Sequence, residues 1–544
     1  MGAWCLLGRR ARIARLWYGA CAVVAGALWV LPESATAIAV TPYKGLPQTL
    51  LVPGARIVEE RSSPMGVLTV VESPKVPFRH APGISLRSTA QIPPQHGVFS
   101  DGDGFSPITR FTGNVGELDY LDGLTSAAPF HLLDAPRVLI VGAAGDAILQ
   151  SATRGARSVD VVEIDPVRVE LLTSTYADYF GWPHLRDRVR FDVAELRGWL
   201  SSRRDVAFDL IVFPLTESSS AAGAGVHGLM EDFLFTREAW SAYLGAISDA
   251  GMVAVTRWVT LPPRDIPKLV NTALDVLEAA GVARPSDHLA VIRGWKTVTL
   301  LVTRRPIGRD DVEALRQFAG ERAFDVAYLP GVQDSEVNRF NVLDRPFYAD
   351  AVRSLLAPGR ERFTADYAFA IEAATDARPY FFQFFRWRSL ETILALRGVG
   401  GYAHFEWGYP ILVATFAQAV IASAVLIVLP FLVGGDRRRR IVSYGLRPVA
   451  YFAVLGFSFM FVEMAFIQKL TLMLHHPIHA AAAVLGAFLV FAGIGSRFAS
   501  TRRQRDSTSR ILGAAATIVA VLAAILVLAL PTIIDLTSAW PLAV

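Results

Sequence analysis

The sequence predicts an α/β protein: a mostly parallel sheet with helices on both faces, a small β-rich domain ahead of it, and a bundle of membrane helices behind it. Three observations carry this. Between residues 136 and about 305, short buried strand-like runs alternate with helical stretches. Residues 38 to about 130 are rich in Pro and Gly and hold short β-type runs and turn signals. After residue 400, four long runs nearly free of charge follow one another with short polar or basic loops between them. With 544 residues, 52% of them hydrophobic and 19% charged, the chain has room for several domains and is too apolar to be wholly water-soluble.

The first element is a leader, residues 1–37. Arg9, Arg10, Arg12 and Arg15 precede an apolar run from Trp17 to Leu31, and Ala35-Thr36-Ala37 resembles a small-residue cleavage site, so a signal peptide and an uncleaved anchor both fit. Both cysteines, Cys5 and Cys21, lie in it, which leaves the rest without thiol chemistry or disulfides. Residues 38–130 follow as the small β-rich domain, with GVLTVVES (66 to 73) as a strand and DGDG (101 to 104) as a turn.

The central sheet, residues 131–305, is the most informative part. RVLIVG (137 to 142), SVDVVEID (158 to 165), RVRFDV (188 to 193), FDLIVF (208 to 213) and GMVAVTRW (251 to 258) read as five strands, and HLAVIRGWKTVTLLVTRR (288 to 305) as a closing hairpin turning near Gly294. Val167 to Tyr179, Thr236 to Ile247 and Ile266 to Ala280 read as helices between them. Such a sheet binds ligands beyond the carboxyl ends of its strands. There the first strand runs into GAAGDA (142 to 147), where glycine lets backbone amides approach a ligand and the following helix start favours an anionic group. About 20 residues on, Glu163 ends the second strand, where an acid accepts hydrogen bonds from ribose hydroxyls; Glu195 follows the third, placed to meet an adenine edge. Together the three strand ends describe a nucleoside pocket. The plainer alternative makes Glu163 and Glu195 solvated acids, with Asp165 only capping the helix that Pro166 starts.

Residues 306–400 read as a mixed α/β extension and residues 401–544 as a bundle of about four transmembrane helices. Tyr409 to Val433 and Ile511 to Leu530 are uncharged, Pro448 to Leu470 carries Glu463 and Lys469, and Ile478 to Ser496 carries only His479. An acid inside a membrane helix is costly, which makes Glu463 a functional candidate. His475, His476 and His479 raise a metal or proton site, but interfacial packing with Glu463 paired to Lys469 or to backbone is the preferred reading, and no metal is predicted. The formal charge of +4 is concentrated in arginines beside the apolar runs, notably Arg437 to Arg440 and Arg497 to Arg510, which mark topology rather than a nucleic-acid surface.

VLIVGAAGDAILQSATRGARSVDVVEIDP resembles the nucleoside-binding core of the spermidine synthases (polyamine aminopropyltransferases), and ELRGWL (195 to 200) resembles their acid-x-Arg-x-aromatic-Leu segment. This resemblance covers about residues 40 to 305. LMEDFLFTREAW (229 to 240), ATDARPYFF (374 to 382) and FSFMFVEMAFIQKLTLMLHHPIHAAAAVLGAFLVFAGIGS (457 to 496) look like the subgroup fused to C-terminal transmembrane helices. The resemblance implies a seven-stranded methyltransferase-like (Rossmann-like) sheet. It also implies a pocket for decarboxylated S-adenosylmethionine or S-adenosylmethionine as co-substrate, contacted by Gly142, Ala144, Gly145, Asp146, Glu163 and Glu195.

Two departures matter. The family's glycine turn carries Asp at its fourth position, where this chain has Gly145 with Asp146 one later. The family's fourth strand runs into a loop whose two acids hold and deprotonate the attacking amine; here Pro214 falls on the first and Glu217 on the second. Glu217, with Glu231 or Asp232 from the next segment, is the candidate amine site; the plainer reading makes Glu217 a solvated loop acid and the other two a helix N-terminal pair. Three functions remain: aminopropyl transfer to a polyamine, methyl transfer to another acceptor, and a catalytically silent ligand-binding domain coupled to the bundle. The expected partners are the lipid bilayer and a small-molecule amine, without nucleic acid, and the sequence leaves homo-oligomer assembly open. The chain reads as a multi-pass protein of the cell (inner) membrane. Arginine counting puts the leader and bundle clusters in the cytoplasm and the sheet outside if the leader spans; Arg386, Arg388 and Arg397 favour the cytoplasm, so the side stays open.

Overall fold

The computed structural model describes residues 40–42, 44–63, 65–203, 206–215, 230–389, 408–428, 447–474 and 477–502, with isolated helical positions between 513 and 525. The leader, Glu217, Arg437 to Arg440, His475, His476 and most of the run Ile511 to Leu530 lie outside the described residues.

Residues Arg56–Ser63 (β1), Gly66–Glu72 (β2), Gln95–Ser100 (β3) and Asp103–Thr109 (β4) form an antiparallel four-stranded sheet in simple order. The alternation along β2 and β3 gives this sheet two apolar faces. Leu68, Val70, Val98 and Ile108 join the core of the large sheet, while Val71 and Phe99 pack under Leu46 in a small core of their own. The small sheet is thereby fastened to the large one.

The large sheet is built from Arg137–Val141 (β5), Ser158–Glu163 (β6), Val189–Val193 (β7), Phe208–Phe213 (β8), Ile247–Trp258 (β9), Leu289–Arg293 (β10), Thr297–Thr303 (β11) and Asp325–Tyr328 (β12). Its order is β12-β10-β11-β9-β8-β5-β6-β7. β5 to β9 pair in parallel, and β11 runs antiparallel between β9 and β10. Read from β7 to β10, this is the methyltransferase-like arrangement, with the strand order reversing between β5 and β8. The eighth strand, β12, is an addition to the seven expected: it comes from the extension and covers β10, which would otherwise be an open edge.

Successive side chains of β5 enter different cores, Val138 and Ile140 one and Leu139 the other, as a sheet buried on both faces requires. The helix Arg309–Glu321 places Leu315 and Phe318 in the first core. The helix Phe347–Leu356 and the ribbon 369–384 place Val352, Phe369, Phe381 and Phe384 in the second. Residues 306–389 thus share both cores with the sheet.

Of the predicted helices, Arg237–Ala246 and Asp265–Ala279 fall where expected. The stretch Val167 to Tyr179 does not form one continuous helix. Pro166–Glu170 is α-helical, Leu171–Thr175 is a π-turn and Ala177–Phe180 is α-helical again, ending at Gly181 with φ of 74°. β-Branched Thr173 and Thr175 are poor helix interior residues, and Arg61 binds the Thr175 hydroxyl at 3.0 Å from the small sheet.

Among the described residues, three helical stretches are long and apolar enough to cross a membrane: Gly408–Leu426, Ala450–Thr471 and Ile478–Arg497, with mean hydropathy of 1.8, 1.9 and 2.1. Most of their large apolar side chains face outward, as lipid solvation demands. The second and third pack together through Phe459 and Phe466 against Phe488, with Ala480 and Val484 buried between them. Glu463 lies in this helix pair and is half-buried.

Candidate functional site

The site forms where β5, β6, β7 and β8 end. Gly142 follows β5 with φ of 91°, a left-handed conformation that glycine adopts without steric cost, and its amide donates to the Val162 carbonyl at 2.8 Å. Ala144 donates back to the Gly142 carbonyl at 2.9 Å and then caps the helix Gly145–Thr153 from an extended conformation, without a side-chain bond. A helix start with no side-chain cap keeps amide donors for another acceptor.

Glu163 closes this turn from below. It is 7% exposed; one carboxylate oxygen accepts from the Ala143 amide at 2.7 Å, the other from the Asp165 amide at 2.9 Å. The carboxylate is therefore neither solvated nor loose: it ties the glycine turn to the end of β6, and each oxygen keeps a second lone pair. Asp165 caps the next helix, accepting from Val167 at 3.0 Å and from the Ser63 hydroxyl of the small sheet at 3.1 Å. Beside it, the Ala194 amide donates to the Glu163 carbonyl at 2.9 Å, which sets Glu195 at the neighbouring strand end. The Glu195 side chain caps the helix Leu196–Ser201 through the Gly198 amide at 2.8 Å.

The glycine at 145 has a packing reason. A Cβ there would stand 2.8 Å from the Pro107 carbonyl oxygen of β4 and 3.4 Å from Phe180. Gly145→Ala is expected to push the helix off the small sheet and to destabilise the fold by about 1–3 kcal/mol, read as a lowered thermal midpoint. Asp146 is turned the same way. Its carboxyl accepts the Thr109 hydroxyl at 2.6 Å, and Thr109 in turn accepts from the Gln95 side-chain amide at 3.0 Å and lies 3.3 Å from the Tyr120 hydroxyl. Burial pushes the Asp146 carboxyl up to about 7, against the lowering effect of the Thr109 and Tyr120 bonds.

On the other side of the opening, β8 ends at Phe213, packed on Phe235 and Tyr243, and passes into Pro214. Glu231 and Asp232 are held against the ribbon from the extension. Glu231 accepts the Tyr380 hydroxyl at 3.2 Å; the Asp232 amide donates to the Pro379 carbonyl at 2.6 Å, while its carboxylate caps the short turn Phe233–Phe235 through the Leu234 amide at 2.8 Å. The strand ends thus bring Gly142, Ala144, Gly145, Glu163 and Glu195 together on one side, with Glu231 and Asp232 on the ribbon side and the Asp146 side chain directed into the contact with the small sheet.

The sequence gives no role to Asp376, yet it joins the two sides. Arg197 binds it in bidentate fashion at 2.8 and 2.9 Å, the Thr236 hydroxyl donates to it at 2.8 Å, and its own amide donates to Glu238 at 3.0 Å. Both residues sit within the stretches ELRGWL and ATDARPYFF, and their opposite charge is the one sequence signal that could pair them. Lys268 adds to the clamp, its ammonium 3.3 Å from both the Tyr380 and Gln383 carbonyls and over the rings of Phe381 and Phe384.

No protein-family model matches this chain, and no curated protein matches it in sequence. Among solved structures it is similar to spermidine synthase from Thermotoga maritima, at 14% identity over 55% of this chain and 88% of that one, with a TM-score of 0.34. A spermidine synthase in complex with the transition-state analogue AdoDATO gives 14% identity, 55% and 87% coverage and a TM-score of 0.34. Human methyltransferase-like protein 13 in complex with SAH gives 16% identity, 36% and 89% coverage and a TM-score of 0.27. At these values no residue role passes from those proteins to this chain.

Proposed function

We propose that this chain is a membrane-anchored transferase that takes an S-adenosyl sulfonium donor at the strand ends and passes an aminopropyl group from decarboxylated S-adenosylmethionine to an amine. The supporting observation is Glu163: a buried carboxylate fixed by two backbone amides at the end of β6, beside a left-handed glycine turn and a helix start without a side-chain cap. An acid so placed accepts from both ribose hydroxyls through its remaining lone pairs, and Glu195 borders the base. In the reaction the amine lone pair attacks the carbon next to sulfur, the C–S bond breaks, a neutral thioether nucleoside leaves, and the amine's extra proton passes to a base. Glu231, with Asp232 beside it, is the described carboxylate on the acceptor side.

Methyl transfer from S-adenosylmethionine is the second reading, and Pro214 favours it: directly after β8, where the resemblance puts the first of two amine-orienting acids, this chain has a proline. Titration calorimetry of the purified full chain against both sulfonium nucleosides is expected to show binding to at least one, with thioether release on addition of an amine. Binding of neither overturns both transfer readings. Binding of decarboxylated donor without release on putrescine, spermidine or amine lipid overturns aminopropyl transfer.

A further inference from the structure

The ribbon that holds Glu231 and Asp232 runs on to touch the membrane-length helix that starts at Gly408. Tyr380 binds Glu231 at the rim, and seven residues later Trp387 is 64% exposed. Between them Phe385 stacks on Tyr409 with ring centroids 5.4 Å apart, and Trp387 meets the same ring edge-on at 6.5 Å. Tyr409 is in the first turn of the helix Gly408–Ser423, which opens the first membrane-length stretch. Even fully extended, seven residues reach about 25 Å, so the rim lies within that distance of the aromatic cluster. Tyrosine and tryptophan at the end of an apolar helix mark the headgroup level of a bilayer. Arg386 pins the ribbon there through the Ala365 and Tyr367 carbonyls at 2.7 and 2.9 Å.

Along this path large apolar side chains are open between charged ones, among them Glu372, Arg378 and Arg388. Met230 at 57% and Tyr380 at 39% exposure lie at the rim, Trp387 lies next, and Ile411 and Phe416 of the helix continue outward at 56% and 64%. A water-soluble amine gains nothing from such an approach. A lipid does, because its chains must stay in the bilayer: withdrawing them into water costs about 0.8 kcal/mol per methylene. A headgroup that reaches the rim while its chains stay in the bilayer avoids that cost.

We propose that the acceptor is an amine carried on a bilayer lipid, whose headgroup binds beside the hydrogen-bonded pair Glu231 and Tyr380 while its chains remain beside Trp387 and Tyr409. The inference rests on the transferase reading above. The headgroup nitrogen attacks the carbon bonded to the sulfonium, the C–S bond breaks to release the thioether nucleoside, and the ammonium proton passes to the Glu231 carboxylate.

The test is the full chain in vesicles of phosphatidylcholine with or without phosphatidylethanolamine, supplied with either sulfonium nucleoside. Thioether release and the mass gain of the lipid are followed, with donor affinity measured separately. Release is expected to rise at least tenfold with phosphatidylethanolamine, to fall at least fivefold in Trp387→Ser at unchanged donor affinity, and to recover in Trp387→Tyr. Equal release with and without the amine lipid, equal or faster release with soluble amines, or donor binding with no release at all overturns the lipid acceptor and leaves the nucleoside pocket standing. Failure to bind either donor overturns the transferase reading beneath it.

Discussion

Glu163→Ala is expected to abolish sulfonium nucleoside binding and to destabilise the fold by about 2–5 kcal/mol. The second figure follows from the two amides that Glu163 satisfies. Ala143 and Asp165 each donate to one carboxylate oxygen in a site only 7% exposed. Truncation leaves both donors without a partner, at about 1–3 kcal/mol each. The loss of binding has two sources: the ribose acceptor disappears, and the glycine turn is no longer tied to β6. Glu163→Gln separates them. One glutamine oxygen still accepts from one amide, so about half of that stability is kept, while the NH2 group faces the other amide and removes an acceptor from the ribose. Thermal unfolding and calorimetry on the two variants read the two effects. Wild-type donor affinity in Glu163→Gln would show that the carboxylate is a structural tie alone and that the nucleoside, if bound, is held elsewhere.

The strands around this acid were legible because parallel strands buried on both faces are written as uninterrupted apolar runs, each closed by a glycine, an acid or a proline: Gly142, Glu163, Pro214. β12 was not, since DVAY is four residues long and becomes a strand only by pairing with β10, more than thirty residues earlier. The continuous helix expected from Val167 to Tyr179 failed for a related reason: its middle is shaped by Arg61 reaching across from β1, a contact no local pattern records. The site divides in the same way. Glu163 and Glu195 are local features of strand ends, so their positions could be read directly. The Arg197 to Asp376 pair spans 179 residues, and the Asp146 side chain is held by Thr109, 37 residues away in the small sheet. Asp146, which the resemblance puts among the nucleoside contacts, has its carboxyl bonded from the helix Gly145–Thr153 to Thr109 of the small sheet.

That placement gives the second large effect, on pH. Asp146 has its carboxyl raised from 3.8 to about 7 by burial, so the folded state favours the protonated acid and the unfolded chain the ionised one. Between those two values the folded state holds more protons. The contribution of Asp146 is therefore most favourable at the acid end and is lost as pH rises to about 7. At about 1.4 kcal/mol per pH unit the whole window amounts to roughly 3–6 kcal/mol. His80 acts in the opposite sense: burial lowers it from 6.5 to about 4, so its contribution is present above 6.5 and is lost as pH falls towards 4. The two partly cancel in the wild-type curve, which is why a variant is needed. Asp146→Asn keeps the acceptor for the Thr109 hydroxyl and offers its NH2 to the Tyr120 oxygen, but it cannot ionise. In detergent at pH 8 it is expected to be more stable than wild type by about 3–6 kcal/mol, and at pH 4.5 to match it to within about 1 kcal/mol. A stability difference that stays the same at both pH values would mean that the carboxyl is already ionised in the folded chain, and that the contact between the small sheet and the glycine turn holds a charge rather than a shared proton.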